Sequence, residues 1–255
     1  MTFLNNKYQH MKTNQSIKKR TVLSFILVTF LMSSNVFAQQ TVKASDIMKD
    51  IKMGKTVSYD NVTITGTLDM TFMNDKLPDL PKKRSWWKNG GSNSVEEQIE
   101  SSISFTNCTF EDNVYAYFHD DDSEYTFVAN FENDVRFTNC TFKGEALFKY
   151  SDFEKNADFS GSKFGDRTTF KYAKFDQNVS FANTVFDEDA IFKYSQFRDG
   201  VSFNNAKFED DLDIKYTKVN GEFDIKNMTV ADNIDSKYTK INGKGFSKYL
   251  LDNRN

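Results

Sequence analysis

From Val135 the chain runs through ten consecutive units of 11 residues with no insertion, and this period limits the possible folds more than any other feature. The units begin "VRFTNCTFKGE", "ALFKYSDFEKN", "ADFSGSKFGDR", "TTFKYAKFDQN" and continue to "IDSKYTKINGK". Their third residue is Phe137, Phe148, Phe159, Phe170, Phe181, Phe192 and Phe203, then Ile214, Ile225 and Ser236. Their eighth is Phe142, Phe153, Phe164, Phe175, Phe186, Phe197 and Phe208, then Val219, Val230 and Ile241. Nineteen of these twenty slots are large and apolar, which marks them as the core. The sixth residue is small in nine units (Cys140, Ser151, Ser162, Ala173, Thr184, Ser195, Ala206, Thr217, Thr239), with Met228 the exception.

Each unit is two five-residue blocks plus one spare residue. A small or β-branched residue sits two before a large apolar one, and that spacing puts both on one side of an extended segment. A five-residue step fits neither a helix stripe nor a long alternating strand. It fits a chain that turns a corner at every block and sends one large and one small side chain inward each time. Stacked coils of this kind bury a continuous core that no single repeat buries alone.

Units with Lys-Tyr after the first apolar residue alternate with units carrying Asn139, Gly161, Asn183, Asn205 or Asn227 at the place of the Tyr. One coil is therefore two units, or 22 residues, and equivalent residues stack about 4.8 Å apart. Lys149/Tyr150, Lys171/Tyr172, Lys193/Tyr194, Lys215/Tyr216 and Lys237/Tyr238 form one column, and the Asn residues form another across from it.

This pattern resembles the pentapeptide-repeat family over roughly 103–244. The resemblance implies an all-β fold, a right-handed quadrilateral parallel β-helix of about seven to eight coils. Two departures stand out: Phe replaces the usual central Leu, and the spare residue stretches each coil from 20 to 22 residues. The Phe-rich pattern resembles exported members of the family without an assigned activity. The best-known members bind a topoisomerase as DNA mimics in the cytoplasm, a role that an exported chain does not fit. A leucine-rich repeat shares the 22-residue period, but the half-period of 11 disfavours it.

Residues 1–38 carry five basic residues and no acidic one, followed by an apolar run from Thr21 and a small-residue site at Ala38. This is the pattern of a cleaved signal peptide, and it places the protein outside the cytoplasm, in the periplasm or at the surface of a bacterium. The chain from Gln39 has 28 basic and 36 acidic residues, which disfavours a general nucleic-acid partner. No later stretch reads as a membrane span. Residues 39–56 read as an N-terminal cap, with Ser45 as the helix N-cap. The solenoid reads as 57–244, interrupted by an inserted loop at 72–102 that holds both prolines, and 245–255 reads as a C-terminal cap. Between 113 and 135 the 11-residue count is one short, so an irregular corner is expected at 119–124, "HDDDSE".

Candidate sites are few. The inserted loop carries Lys82, Lys83, Arg84, Trp86 and Trp87; two adjacent Trp in a basic loop can anchor a protein partner or stack on sugars, or fold back over the flank. Asp187, Glu188 and Asp189, with Glu209, Asp210 and Asp211 one coil later, form an acidic corner. That corner is a weak candidate for Ca²⁺, since the acids lack the spacing of a ligand loop, and a solvated face is the expected reading. The Lys-Tyr column reads as surface decoration with stacked tyrosines, because two Lys about 5 Å apart in water repel by only about 0.8 kcal/mol. His119 is the only histidine after residue 38, which rules out a His-based metal cluster and leaves a single triad candidate. No catalytic residue or cofactor is indicated. Cys108 and Cys140, 32 residues apart, are expected on opposite sides of the core at different heights, as unbridged thiols. The expected function is an exported, non-enzymatic scaffold that recognises another envelope protein or itself through a helix end, with carbohydrate binding through Trp86/Trp87 as the alternative.

Overall fold

The computed structural model describes residues 39–81 and 93–252. The expected signal peptide and the side chains of Lys82, Lys83, Arg84, Trp86 and Trp87 lie outside them. The chain winds into a four-sided parallel β-helix. The first face stacks seven strands, from Val57–Asp60 through Val135–Thr138 to Phe223–Asp224. The second stacks eight, from Gln40–Lys43 to Thr229–Val230. The third runs from Leu68–Asp69 to Ile234–Asp235, and the fourth from Ser94–Ile99 to Lys244–Gly245. Successive coils pair in strict register, Phe142 over Phe164 and Phe164 over Phe186, so like residues stack on like.

That register turns the sequence period into four internal columns of phenylalanine. Each of the fourteen Phe residues of the first seven units is at most 2 % exposed. Within a column the rings lie nearly parallel, with centroids 4.6 Å apart for Phe142–Phe164 and 4.7 Å for Phe153–Phe175. Between columns they meet edge to face, Phe159–Phe170 at 5.2 Å and 74° and Phe170–Phe181 at 5.1 Å and 72°. Both are preferred aromatic geometries, each contributing about 0.5–1.5 kcal/mol beyond area burial.

The sixth-position slot has a second role besides being small. Ser162 donates its hydroxyl to the Phe137 carbonyl at 2.6 Å, Ser195 to Phe170 at 2.7 Å, and Thr217 to Phe192 at 2.7 Å. Each bond joins one coil to the one before it at a buried corner, where an unpaired carbonyl would be costly.

The corners explain the Asn and Tyr columns. Asn139, Asn183, Asn205 and Asn227 have φ of 54–58°, and Tyr150, Tyr172, Tyr194, Tyr216 and Tyr238 have φ of 59–67°. This left-handed conformation suits Asn, whereas an aromatic side chain is strained in it. The tyrosines offset that strain by stacking: centroids are 5.0 Å apart for Tyr150–Tyr172, 4.7 Å for Tyr172–Tyr194 and 4.6 Å for Tyr194–Tyr216. The asparagines form their own ladder, Asn205 Nδ2 donating to Asn183 Oδ1 at 3.1 Å and Asn227 Nδ2 to Asn205 Oδ1 at 2.9 Å. Gly161 takes this column's place at φ 69°, which glycine adopts without strain.

Several boundaries differ from the sequence reading. Residues 40–43 are a strand paired to Val62–Thr65, so the solenoid starts before residue 57. The N-terminal helix is Ala44–Lys52, which puts Ser45 inside it; Lys43 is the N-cap and makes no side-chain cap bond. Ala44, Ile47 and Ile51 on this helix are buried in the core cluster. The strand Ser94–Ile99 pairs with Tyr125–Phe131, so the inserted loop ends before residue 94. At the other end the helix Phe246–Asp252 closes on Phe223, with Tyr249 donating to the Phe223 carbonyl at 3.1 Å.

The largest correction concerns 103–134. Val135 stacks directly over Ile103, so these 32 residues make a single coil. The ten residues beyond 22 are spent on a hairpin: Tyr117–Asp120 runs antiparallel to Tyr125–Phe131. "HDDDSE" is the tip of this hairpin, held by Glu124 N to Asp120 O at 2.8 Å and Ser123 N to Asp120 Oδ2 at 2.9 Å. Counting from the 11-residue period assigned these residues to one and a half coils, because a hairpin adds residues without changing the stacking on either side.

Candidate functional site

With the coil count corrected, Cys108 and Cys140 come together. Thr141 stacks on Thr109, so the preceding cysteines lie one above the other in neighbouring coils and on the same side of the core. Both are buried and unbridged. Cys108 Sγ donates to the Thr106 carbonyl at 3.2 Å, and Cys140 Sγ to the Phe105 carbonyl at 3.4 Å. The hydrogen bond between the two thiols lowers Cys108 to about 7 and pushes Cys140 upward.

The acidic corner divides. Lys163 takes Asp187 in an ion pair at 2.9 Å, while Asp210 and Asp211 converge with Asp232 of the next coil. The hydrogen bond and charge of Asp210 hold the Asp232 carboxyl above its ordinary range. Asp211 Oδ1 accepts from Asn233 N and Nδ2 at 2.9 and 3.0 Å, so part of its capacity is already used within the corner. Three exposed carboxylates without further donors make a poor cage for a cation that takes six to eight oxygens.

His119 is held across the hairpin. Its Nδ1 meets Thr126 Oγ1 at 2.9 Å across the hairpin, and its Nε2 lies 3.6 Å from Asp121.

The Lys-Tyr column offers ring edges to solvent, because each ring face is covered by its neighbour's. Only a terminal ring has an open face, and Tyr238 is 58 % exposed. The column therefore does not provide faces for sugar stacking along its length. Its lysines lie over the rings, Lys149 Nζ at 4.6 Å from the Tyr117 centroid and Lys171 Nζ at 5.4 Å from that of Tyr172.

Where the hairpin overhangs the third face it closes a groove of about 350 Å³. The hairpin contributes Tyr117, Phe118 and His119, and the floor is formed by Leu147, Thr169 and Ile191. Sequence reasoning missed this groove because it depends on the hairpin. The hint available was the 32-residue spacing of two almost identical units, "ISFTNCTFEDN" and "VRFTNCTFKGE". Among the described residues no helix is long and apolar enough to cross a membrane.

The family model described as pentapeptide repeats (9 copies) matches residues 129–174 and 170–218. No curated protein and no solved structure matches the chain. The matched span coincides with the uninterrupted Phe-lined coils, and the coils outside it, with the hairpin and the Ile/Val-filled end, continue the same four faces. The coils at residues 129–218 are thus similar to pentapeptide repeats, and the parallel β-helix that this likeness implies is the fold of the described residues.

Proposed function

We propose that this protein is a non-enzymatic scaffold of the bacterial envelope that recognises another envelope protein. Pentapeptide-repeat proteins are generally structural or interaction scaffolds, which supports the coarse part of the reading. The observation that carries it is the fixed register of the coils. Stacked tyrosines 4.6–5.0 Å apart and the asparagine ladder hold side chains at regular intervals on a rigid surface, and little ordering entropy is left to lose on binding. Export rests on the basic, apolar and small-residue succession of residues 1–38. The partner-binding segment is the inserted loop with Lys82, Lys83, Arg84, Trp86 and Trp87, whose aromatic and basic content is that of interface hot spots.

Cross-linking and co-purification from native envelopes tests both parts. Wild-type protein is expected to be recovered from the envelope fraction with its N-terminus near Gln39, carrying a partner that Trp86→Ala/Trp87→Ala loses. Recovery from the cytoplasm with residue 1 intact would overturn export. Equal partner capture by both forms would overturn the role of the loop.

A further inference from the structure

We propose that the groove between the 117–131 hairpin and the third face binds a carboxylated saccharide, such as a hexuronate chain. This inference is independent of the partner protein and of the Trp loop. It starts from an asymmetry along the Lys-Tyr column. Towards the C-terminal end Lys215 is neutralised by Asp235 on the third face, and Asp213 lies in the same strand register. The positions equivalent to Asp213 and Asp235 in the three coils beside the hairpin are Leu147, Thr169 and Ile191, none of which carries charge. Lys149 and Lys171, for which Thr169 and Ile191 stand where Asp235 stands for Lys215, consequently have no carboxylate within ion-pair distance among the described residues. Their ammonium groups repeat at the coil spacing of about 4.8 Å along one lip of the groove.

The opposite lip is internally balanced. Arg167 meets Glu145 through Nη2 at 2.7 Å and Nε at 2.9 Å, and the Tyr115 hydroxyl also donates to Glu145 at 3.2 Å. The exposed Asp121 of the hairpin tip adds one acid to the lining, so Lys149 and Lys171 leave the groove with a single net positive charge, which one carboxylate of a ligand matches. Desolvation, together with the charges of Lys149 and Lys193, already depresses the Lys171 ammonium, so an anion there relieves an existing cost.

The floor and end wall select the rest of the ligand. Leu147 and Ile191 offer apolar surface flanking the Thr169 hydroxyl, and Tyr117 and Phe118 close the hairpin end. A sugar ring presents an apolar C–H face to such a floor and its carboxylate to the lysine lip. An extended acidic peptide fits less well. Its main chain would seek a sheet edge, whereas the backbone groups of the third face are engaged between coils, Ala146 N to Arg167 O at 3.1 Å and Phe170 N to Ile191 O at 2.8 Å.

Isothermal titration of the full chain with a hexuronic acid tetrasaccharide tests the site, beside a neutral hexose tetrasaccharide and tetraglutamate. Saturable, salt-sensitive binding of the uronate is expected, with little or no heat from the neutral sugar. Lys171→Glu and, separately, Thr169→Asp, which copies the acid of the later coils, are each expected to weaken binding by at least about tenfold. Lys240→Glu, on the fourth face, is expected to leave it unchanged. Thermal melting of every variant separates lost binding from lost folding. The proposal is overturned by no saturable uronate binding, by equal binding of the neutral sugar or of tetraglutamate, or by unchanged affinity in both groove variants.

Discussion

The coils between residues 157 and 208 and the last coil, 223–241, share one backbone template and differ in what fills it. Both keep the corner conformation, Tyr172 at φ 63° and Tyr238 at φ 65°, and both keep the intercoil ladder, Asp176 N to Phe153 O at 2.9 Å and Ala231 N to Phe208 O at 2.8 Å. In the middle coils every inward column holds a ring, and Phe159, Phe164, Phe170, Phe175, Phe181 and Phe186 each stack on a ring above and below. In the last coil Ile225, Val230 and Ser236 take three of those places and are only half-buried, Ile241 takes the fourth and stays buried, and Ile234 is 40 % exposed. Hydrogen bonding and corner geometry are thus common to both regions, while aromatic packing belongs to one. In a solenoid whose stability is a sum of nearest-neighbour terms, the difference locates the stability in the middle.

The comparison can be broken most easily at the core. Phe175→Ala removes a ring stacked on Phe153 at 4.7 Å and Phe197 at 5.0 Å, and it should cost about 3–5 kcal/mol in denaturant titration. A core truncation in the last coil, Val230→Ala in the second-face column, should cost about 1 kcal/mol or less; equal losses would end the distinction. Gly161→Ala sharpens the account of the corners. It places a side chain at φ 69° against Asn139 and should cost about 1–3 kcal/mol. A neutral result would mean that corner geometry is not a constraint. Ser195→Ala leaves the buried Phe170 carbonyl without its 2.7 Å donor and should cost about 1 kcal/mol. Smallest of all, Lys171→Glu on the outer corner should move stability by less than about 1 kcal/mol. A loss there as large as that of Phe175→Ala would contradict the inward and outward assignment.

The middle coils were legible because their period is unbroken: with Phe at the third and eighth places, the pattern alone specifies four columns and a 22-residue turn. It did not reveal why the corners need Asn and Tyr. The left-handed φ at Asn139 and Tyr150 is a backbone property, and Tyr is not a residue that announces it. Nor did it reveal that the sixth-position hydroxyls reach back to the preceding coil. A simple count failed at 103–134, where the hairpin lengthens a coil without breaking register and thereby hides both the Cys108–Cys140 stack and the groove. The grouping of the acidic residues, Asp210 and Asp211 with Asp232 and Asp187 with Lys163, rests on cross-coil contacts that one-dimensional spacing does not encode.

Residue-resolved amide hydrogen exchange on the full chain tests the central claim most directly, since the two regions share their hydrogen bonds and differ in their packing. The account predicts that Asp176, Asp187 and Arg198, whose amides bond to the carbonyls of stacked Phe residues, exchange most slowly. Protection should then fall through Asn220 and be lowest at Ala231 and Asn242. Uniform protection along the stack, or protection greatest in the last coil, would contradict it.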